Sequence, residues 1–126
     1  MAQEREIMAA NLSGKGNRGF FMPIAFGFEC GDGWFELLAE CIKALELECM
    51  KIEDPKQRPT ASQIKEKYGT LRFYISGYTD DMGAIINKAE QRSAETCEKC
   101  GAPGETNDGG WLSTLCDPCR NPKEAA

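Results

Sequence analysis

The sequence predicts an α+β fold in which two helices pack on a small antiparallel sheet or hairpin and a cysteine-rich module closes the C-terminal end. Three observations carry that expectation. Trp34, Leu38, Cys41, Leu45 and Cys49 recur at three- and four-residue steps, the period of one helix face. Leu71, Phe73 and Ile75 alternate in an aromatic and β-branched run, the period of a strand. Cys97, Cys100, Cys116 and Cys119 form two Cys-x-x-Cys pairs.

The elements follow in order. Met1 to Ala10 has helix-forming residues, and Gly14-Lys15-Gly16-Asn17-Arg18-Gly19 follows. That stretch matches the letters of a dinucleotide-binding loop. The real loop joins a strand to a helix, whereas this one precedes Phe20-Phe21-Met22-Pro23, so a glycine linker is the better reading. Ile24 to Glu29 reads as a strand, with Asp32 as the expected N-cap of a helix from Trp34 to about Met50. Phe35 and Ile42 widen its apolar stripe, while Glu36, Glu40, Lys43, Glu46 and Glu48 lie largely off it.

A polar loop bracketed by Pro55 and Pro59 leads to a hairpin turning at Tyr68-Gly69. Its first arm, residues 61–68, is legible either as strand or as a helical turn. A second helix starts after Thr79, an N-cap residue followed by Asp80 and Asp81, and runs through Met82, Ile85, Ile86 and Ala89 toward Glu95. The expected organisation is an N-terminal segment over 1–19, an α+β core over 20–96 and a metal module over 97–121, with a frayed tail from Pro122.

Composition narrows the function classes. Hydrophobic residues at 41% and charged residues at 28% suit a soluble globular domain, and no apolar run is long enough to span a bilayer. The N-terminus lacks a signal-peptide core, so a cytoplasmic location with reduced thiols is expected. The absence of histidine removes the usual neutral-pH general base. A net charge of −5 argues against an extended nucleic-acid surface.

In a reducing compartment, paired cysteines point to metal. Fifteen residues separate Cys100 from Cys116, the spacing of zinc-ribbon and treble-clef modules. Structural Zn2+ on Cys97, Cys100, Cys116 and Cys119 is therefore expected, with Gly101 supplying a positive φ to the first turn. Gly109 to Leu115 reads as a short strand returning to the second pair. Cys30, Cys41 and Cys49 lack chelating spacing and read as small core residues rather than a second metal site.

Gly-Asp-Gly-Trp at 31–34, Lys-Glu-Lys-Tyr-Gly-Thr-Leu-Arg-Phe-Tyr at 65–74, Cys-Glu-Lys-Cys-Gly at 97–101, and Gly110-Trp111 before Thr114-Leu115-Cys116 occur together. In this combination the chain resembles a group of small, largely uncharacterised bacteriophage and prophage proteins, over roughly residues 26 to 119. The fourth metal position in that group is often histidine; here it is Cys119, a substitution zinc tolerates. The resemblance implies action in the host bacterial cytoplasm and brings no catalytic residues.

Three functional readings remain open. The leading one is a non-enzymatic phage-type protein that binds and inhibits or modulates a host protein, with host defence a candidate target. The second is sequestration of an anionic nucleotide-type ligand by Lys65, Lys67, Tyr68, Arg72 and Tyr74, where cations and rings gather on the hairpin. Arg72 and Tyr74 are expected on the face opposite Leu71 and Phe73, with Arg72 exposed. The third is nucleic-acid binding by the zinc module, where Lys99, Trp111, Arg120 and Lys123 are offset by Glu98, Glu105, Asp108 and Asp117.

Overall fold

Parallel pairing between a two-residue strand and a strand more than thirty residues later sets the topology. The computed structural model describes residues 28–121, so the expected N-terminal helix, the glycine linker, the extended segment from Phe20, residues 24–27 of the first strand and the C-terminal tail lie outside it. Strand β1 (Phe28–Glu29) leads through a 3-10 turn at Asp32–Trp34 into α1 (Phe35–Met50). Then come β2 (Thr60–Lys67), β3 (Thr70–Ser76) and α2 (Asp80–Ser93). The C-terminal part adds β4 (Glu105–Thr106), β5 (Thr114–Leu115) and the short helix α3 (Asp117–Arg120).

The hairpin β2–β3 is antiparallel, as its sequence requires, and β1 joins β2 in parallel, so the three-stranded sheet is mixed. Residues 60–67 are strand, not helix, because they pair on both sides, with β1 and with β3. Tertiary pairing overrides the local helix propensity of Ile-Lys-Glu-Lys. The turn has positive φ at both Tyr68 (54°) and Gly69 (86°), as in a two-residue hairpin of the I′ type.

The apolar stripe of α1 faces the sheet and α2. Leu37, Leu38, Cys41, Ile42, Leu45 and Cys49 are buried against Ala61, Ile64, Leu71 and Phe73 of the sheet and Met82, Ile86 and Ala89 of α2. Cys41 and Cys49 are thus core side chains. Burial, with Glu90 adding to it, pushes the Cys41 thiol up to about 12. Burial likewise pushes Cys49 up to about 11, so both remain neutral.

Thr79 caps α2 as expected, its hydroxyl accepting from the Met82 amide at 3.2 Å. Asp32 does not cap α1. It lies inside the 3-10 turn, and α1 begins after Trp34 without a side-chain cap. The turn intervenes because the Gly33 amide is bonded elsewhere, to the Glu98 carbonyl at 2.7 Å.

The outer edge of β3 is closed by α2 rather than left to solvent. The Leu71 amide donates to Ser93 Oγ at 2.8 Å and the Phe73 amide to Glu90 Oε2 at 3.2 Å. These side chains answer the unpaired donors of an edge strand. No helix among the described residues is long and apolar enough to cross a membrane.

Candidate metal centre and the adjoining aromatic cleft

The chain leaves α2, bridges Thr96 to Pro103 and turns tightly over Cys97–Cys100. The turn is held by Gly101 N to Cys97 O at 2.9 Å and Cys97 N to Ala102 O at 2.7 Å, with Gly101 at φ 86°. A side chain is disfavoured at that φ, which is why glycine follows the pair. The second pair is built differently: Cys116 precedes the first turn of α3, and Cys119 lies within that turn.

The pairs converge. The Sγ atoms of Cys97, Cys100, Cys116 and Cys119 all lie within 4.8 Å of one another, and those of Cys100 and Cys116 are 3.5 Å apart. A disulfide would require about 2.05 Å. A tetrahedron with metal–sulfur bonds of about 2.3 Å has sulfurs about 3.8 Å apart, so the four side chains fit a single thiophilic ion. No disulfide links any of the seven cysteines, and Cys30, Cys41 and Cys49 lie outside the four-sulfur cluster.

The local electrostatics favour thiolate at Cys97 and oppose it at Cys119. At Cys97 burial works against ionisation, but the backbone amides of Cys116, Cys100 and Lys99 outweigh it and hold the thiol at about 6. At Cys119 the sulfurs of Cys116 and Cys100 push the thiol up to about 12. Crowded sulfurs cannot all carry charge unless a metal neutralises them.

The module is docked on the core at three places by hydrogen bonds between a side chain and the backbone. The Gly31 amide donates to Glu98 Oε2 at 2.8 Å, and Trp34 Nε1 to Thr96 O at 2.8 Å. Burial raises the Glu98 carboxyl above its ordinary range, the Gly31 amide opposes this, and Glu66 adds to it. Farther on, Thr114 Oγ1 donates to Gly69 O at 2.6 Å from a fully buried position. A Cβ at Gly69 would stand 3.0 Å from Thr106 Cγ2, so the hairpin turn rests directly on the β4–β5 pair.

The strand expected over 109–115 is confined to Thr114–Leu115, paired with Glu105–Thr106. The preceding residues form a loop organised by one side chain. Asn107 Nδ2 donates to the carbonyls of Gly109 and Trp111, and Asn107 Oδ1 accepts from Ser113 N. Arg120 reinforces it by donating to the carbonyls of Glu105 and Ser113. This loop holds Trp111 88% exposed beside Tyr68, which is 67% exposed. Glu66, Lys67 and Tyr68 on one side and Gly110, Trp111 and Leu112 on the other line a cleft of about 490 Å³.

The hairpin residues divide into two groups. Lys67 Nζ lies 5.5 Å from the Tyr68 ring centroid, and Lys65 Nζ 5.8 Å from that of Tyr74. Arg72 pairs in register with Lys65. It is not the exposed arginine expected: it is half-buried, its Nε has no hydrogen-bond partner, and it lines a separate cavity of about 360 Å³ with Tyr74, Tyr78, Ile86 and Glu90. The reason is that α2 covers the β3 edge and walls in the arginine stem. Sequence reasoning placed Trp111 only in the zinc module. The signal for its display is the Gly109-Gly110 pair preceding it, but its partner Tyr68 is more than forty residues away.

No family model, curated protein or solved structure matches the chain.

Proposed function

We propose that the chain is a non-enzymatic, zinc-stapled protein of bacteriophage type that acts in the host cytoplasm by binding and inhibiting or modulating a host component, with a defence protein as the first candidate. The observation that supports it is the closure of the metal centre. Four thiols converge on one position, a full tetrahedral set with no place left for water or substrate. Such a set suits zinc and serves structure rather than chemistry. What the centre stabilises is a surface, the junction of the hairpin turn with the loop bearing Trp111.

A second reading, capture of an anionic nucleotide-type ligand, is favoured by the two lysine–ring contacts on the hairpin. The net charge of −5 keeps nucleic-acid binding behind both.

The test uses the full zinc-loaded chain as bait in a bacterial lysate, beside Arg72→Ala and Lys67→Ala. The expected result is one host protein retained by the parent, with at least about tenfold weaker binding to the variants, or roughly 1.4 kcal/mol. Equal capture by all three places the working surface elsewhere, and no capture by any of them contradicts the reading.

A further inference from the structure

Tyr68 and Trp111 are unusual for their positions. Tyr68 occupies the left-handed region at φ 54°, where glycine or asparagine is relaxed and a bulky side chain is strained. Its ring is nonetheless directed to solvent and adds nothing to the core. Trp111 is the most exposed of the large hydrophobic side chains among the described residues. Its loop is held from within by Asn107 and from below by Arg120, so the indole is displayed from a fixed backbone. Strain retained at a side chain that the fold does not use marks a functional position.

Charge and shape select the occupant. The cleft walls include two flat rings from two different units, Lys67 stands over one of them, and the Glu66 carboxylate, held by the Gly69 amide at 2.7 Å, contributes an acceptor. Rings favour a planar π-system, an ammonium beside them favours an anion, and a carboxylate accepts from ring or amino N–H groups. A volume of about 490 Å³ lies within the range of small-ligand sites. The chain's net charge of −5 disfavours a long polyanion but not one phosphate met by one lysine.

We propose that the cleft between Tyr68 and Trp111 binds a free nucleotide, its base stacked on the two rings and its phosphate beside Lys67. This rests on the second reading above, capture of an anionic nucleotide-type ligand, and names the cleft and the ligand class.

The test is calorimetric titration of the full zinc-loaded chain with GMP, AMP and inorganic phosphate. At least one of the two nucleotides binds saturably, and inorganic phosphate does not. Trp111→Ala weakens nucleotide binding at least about tenfold, as loss of a base-stacking ring does. Tyr68→Gly weakens it comparably while melting stays level or rises, because glycine relaxes the φ of 54°.

Four results would overturn the proposal. The first is no nucleotide binding by the parent. The second is binding unchanged in both variants. The third is a lowered melting temperature in Tyr68→Gly, which would give the ring a structural role. The fourth is a single-stranded oligonucleotide binding far more tightly than either nucleotide and losing affinity steeply with salt. If nucleotides fail while capture of a host protein still depends on Arg72 and Lys67, this inference falls and the broader reading stands.

Discussion

The Gly33 amide donates to the Glu98 carbonyl at 2.7 Å, and a Cβ on Gly33 would stand 2.2 Å from the Cys97 carbonyl oxygen. The turn over Cys97–Cys100 therefore lies on bare backbone. Gly31 faces the same turn, with a hypothetical Cβ 2.4 Å from Glu98 O. The Gly-Asp-Gly-Trp motif is the seat of the four-cysteine module, and Trp34 completes it with its indole bond to Thr96 O.

Gly33→Ala tests that seat. The added methyl meets backbone rather than a flexible side chain, so the turn must shift. The expected cost is on the order of 1–3 kcal/mol of stability, together with faster loss of zinc to a chelator. Unchanged melting and unchanged zinc release would show that the module does not depend on this contact.

Ser93→Ala tests how α2 closes the sheet edge. Ser93 is fully buried, accepts from the Leu71 amide at 2.8 Å and donates to the Glu90 carbonyl. Removing the hydroxyl leaves a buried amide unsatisfied, at an expected cost of about 1–3 kcal/mol in chemical denaturation. Zinc content should stay the same, since the serine touches no ligand. A cost below a few tenths would mean that water replaces the hydroxyl.

Cys41 and Cys49 predict an alkaline limit to stability. Burial holds their thiols at about 12 and about 11, above the ordinary value near 9. Above pH 9 the unfolded chain loses these protons while the folded chain keeps them, so stability falls as pH rises from about 9 to about 12. It is fully present below pH 9. Cys41→Ala should flatten that decline, keep its zinc and cost about 1–2 kcal/mol at neutral pH through the small cavity it leaves. Loss of zinc in this variant would mean that the ligands are misassigned.

The parts legible in the sequence are those that local chemistry decides. Ligand spacing needs only two tight turns, so the sulfurs at 97, 100, 116 and 119 were readable, as were the α1 stripe and the Thr79 cap. The Tyr68-Gly69 turn was readable because a glycine stands just before the aromatic and β-branched run 70–76, although the first arm was legible either as strand or as helical turn. What was not readable is nonlocal. The glycines at 31 and 33 look like a loop until Glu98 is placed over them. Asp32 has the chemistry of a cap, but docking of Gly33 inserts a 3-10 turn there. The aromatic cleft joins residues from two units that only the folded chain brings together.

X-ray absorption at the zinc edge of the copurified protein tests the central claim most directly. The account predicts one zinc per chain with four sulfur neighbours at about 2.3 Å and no nitrogen or oxygen in the inner shell. Cys100→Ser should fail to retain zinc and should lose the cooperative melting of the C-terminal part. A spectrum with oxygen or nitrogen neighbours, or a zinc-free chain that melts like the zinc-loaded one, would contradict a closed four-thiolate staple.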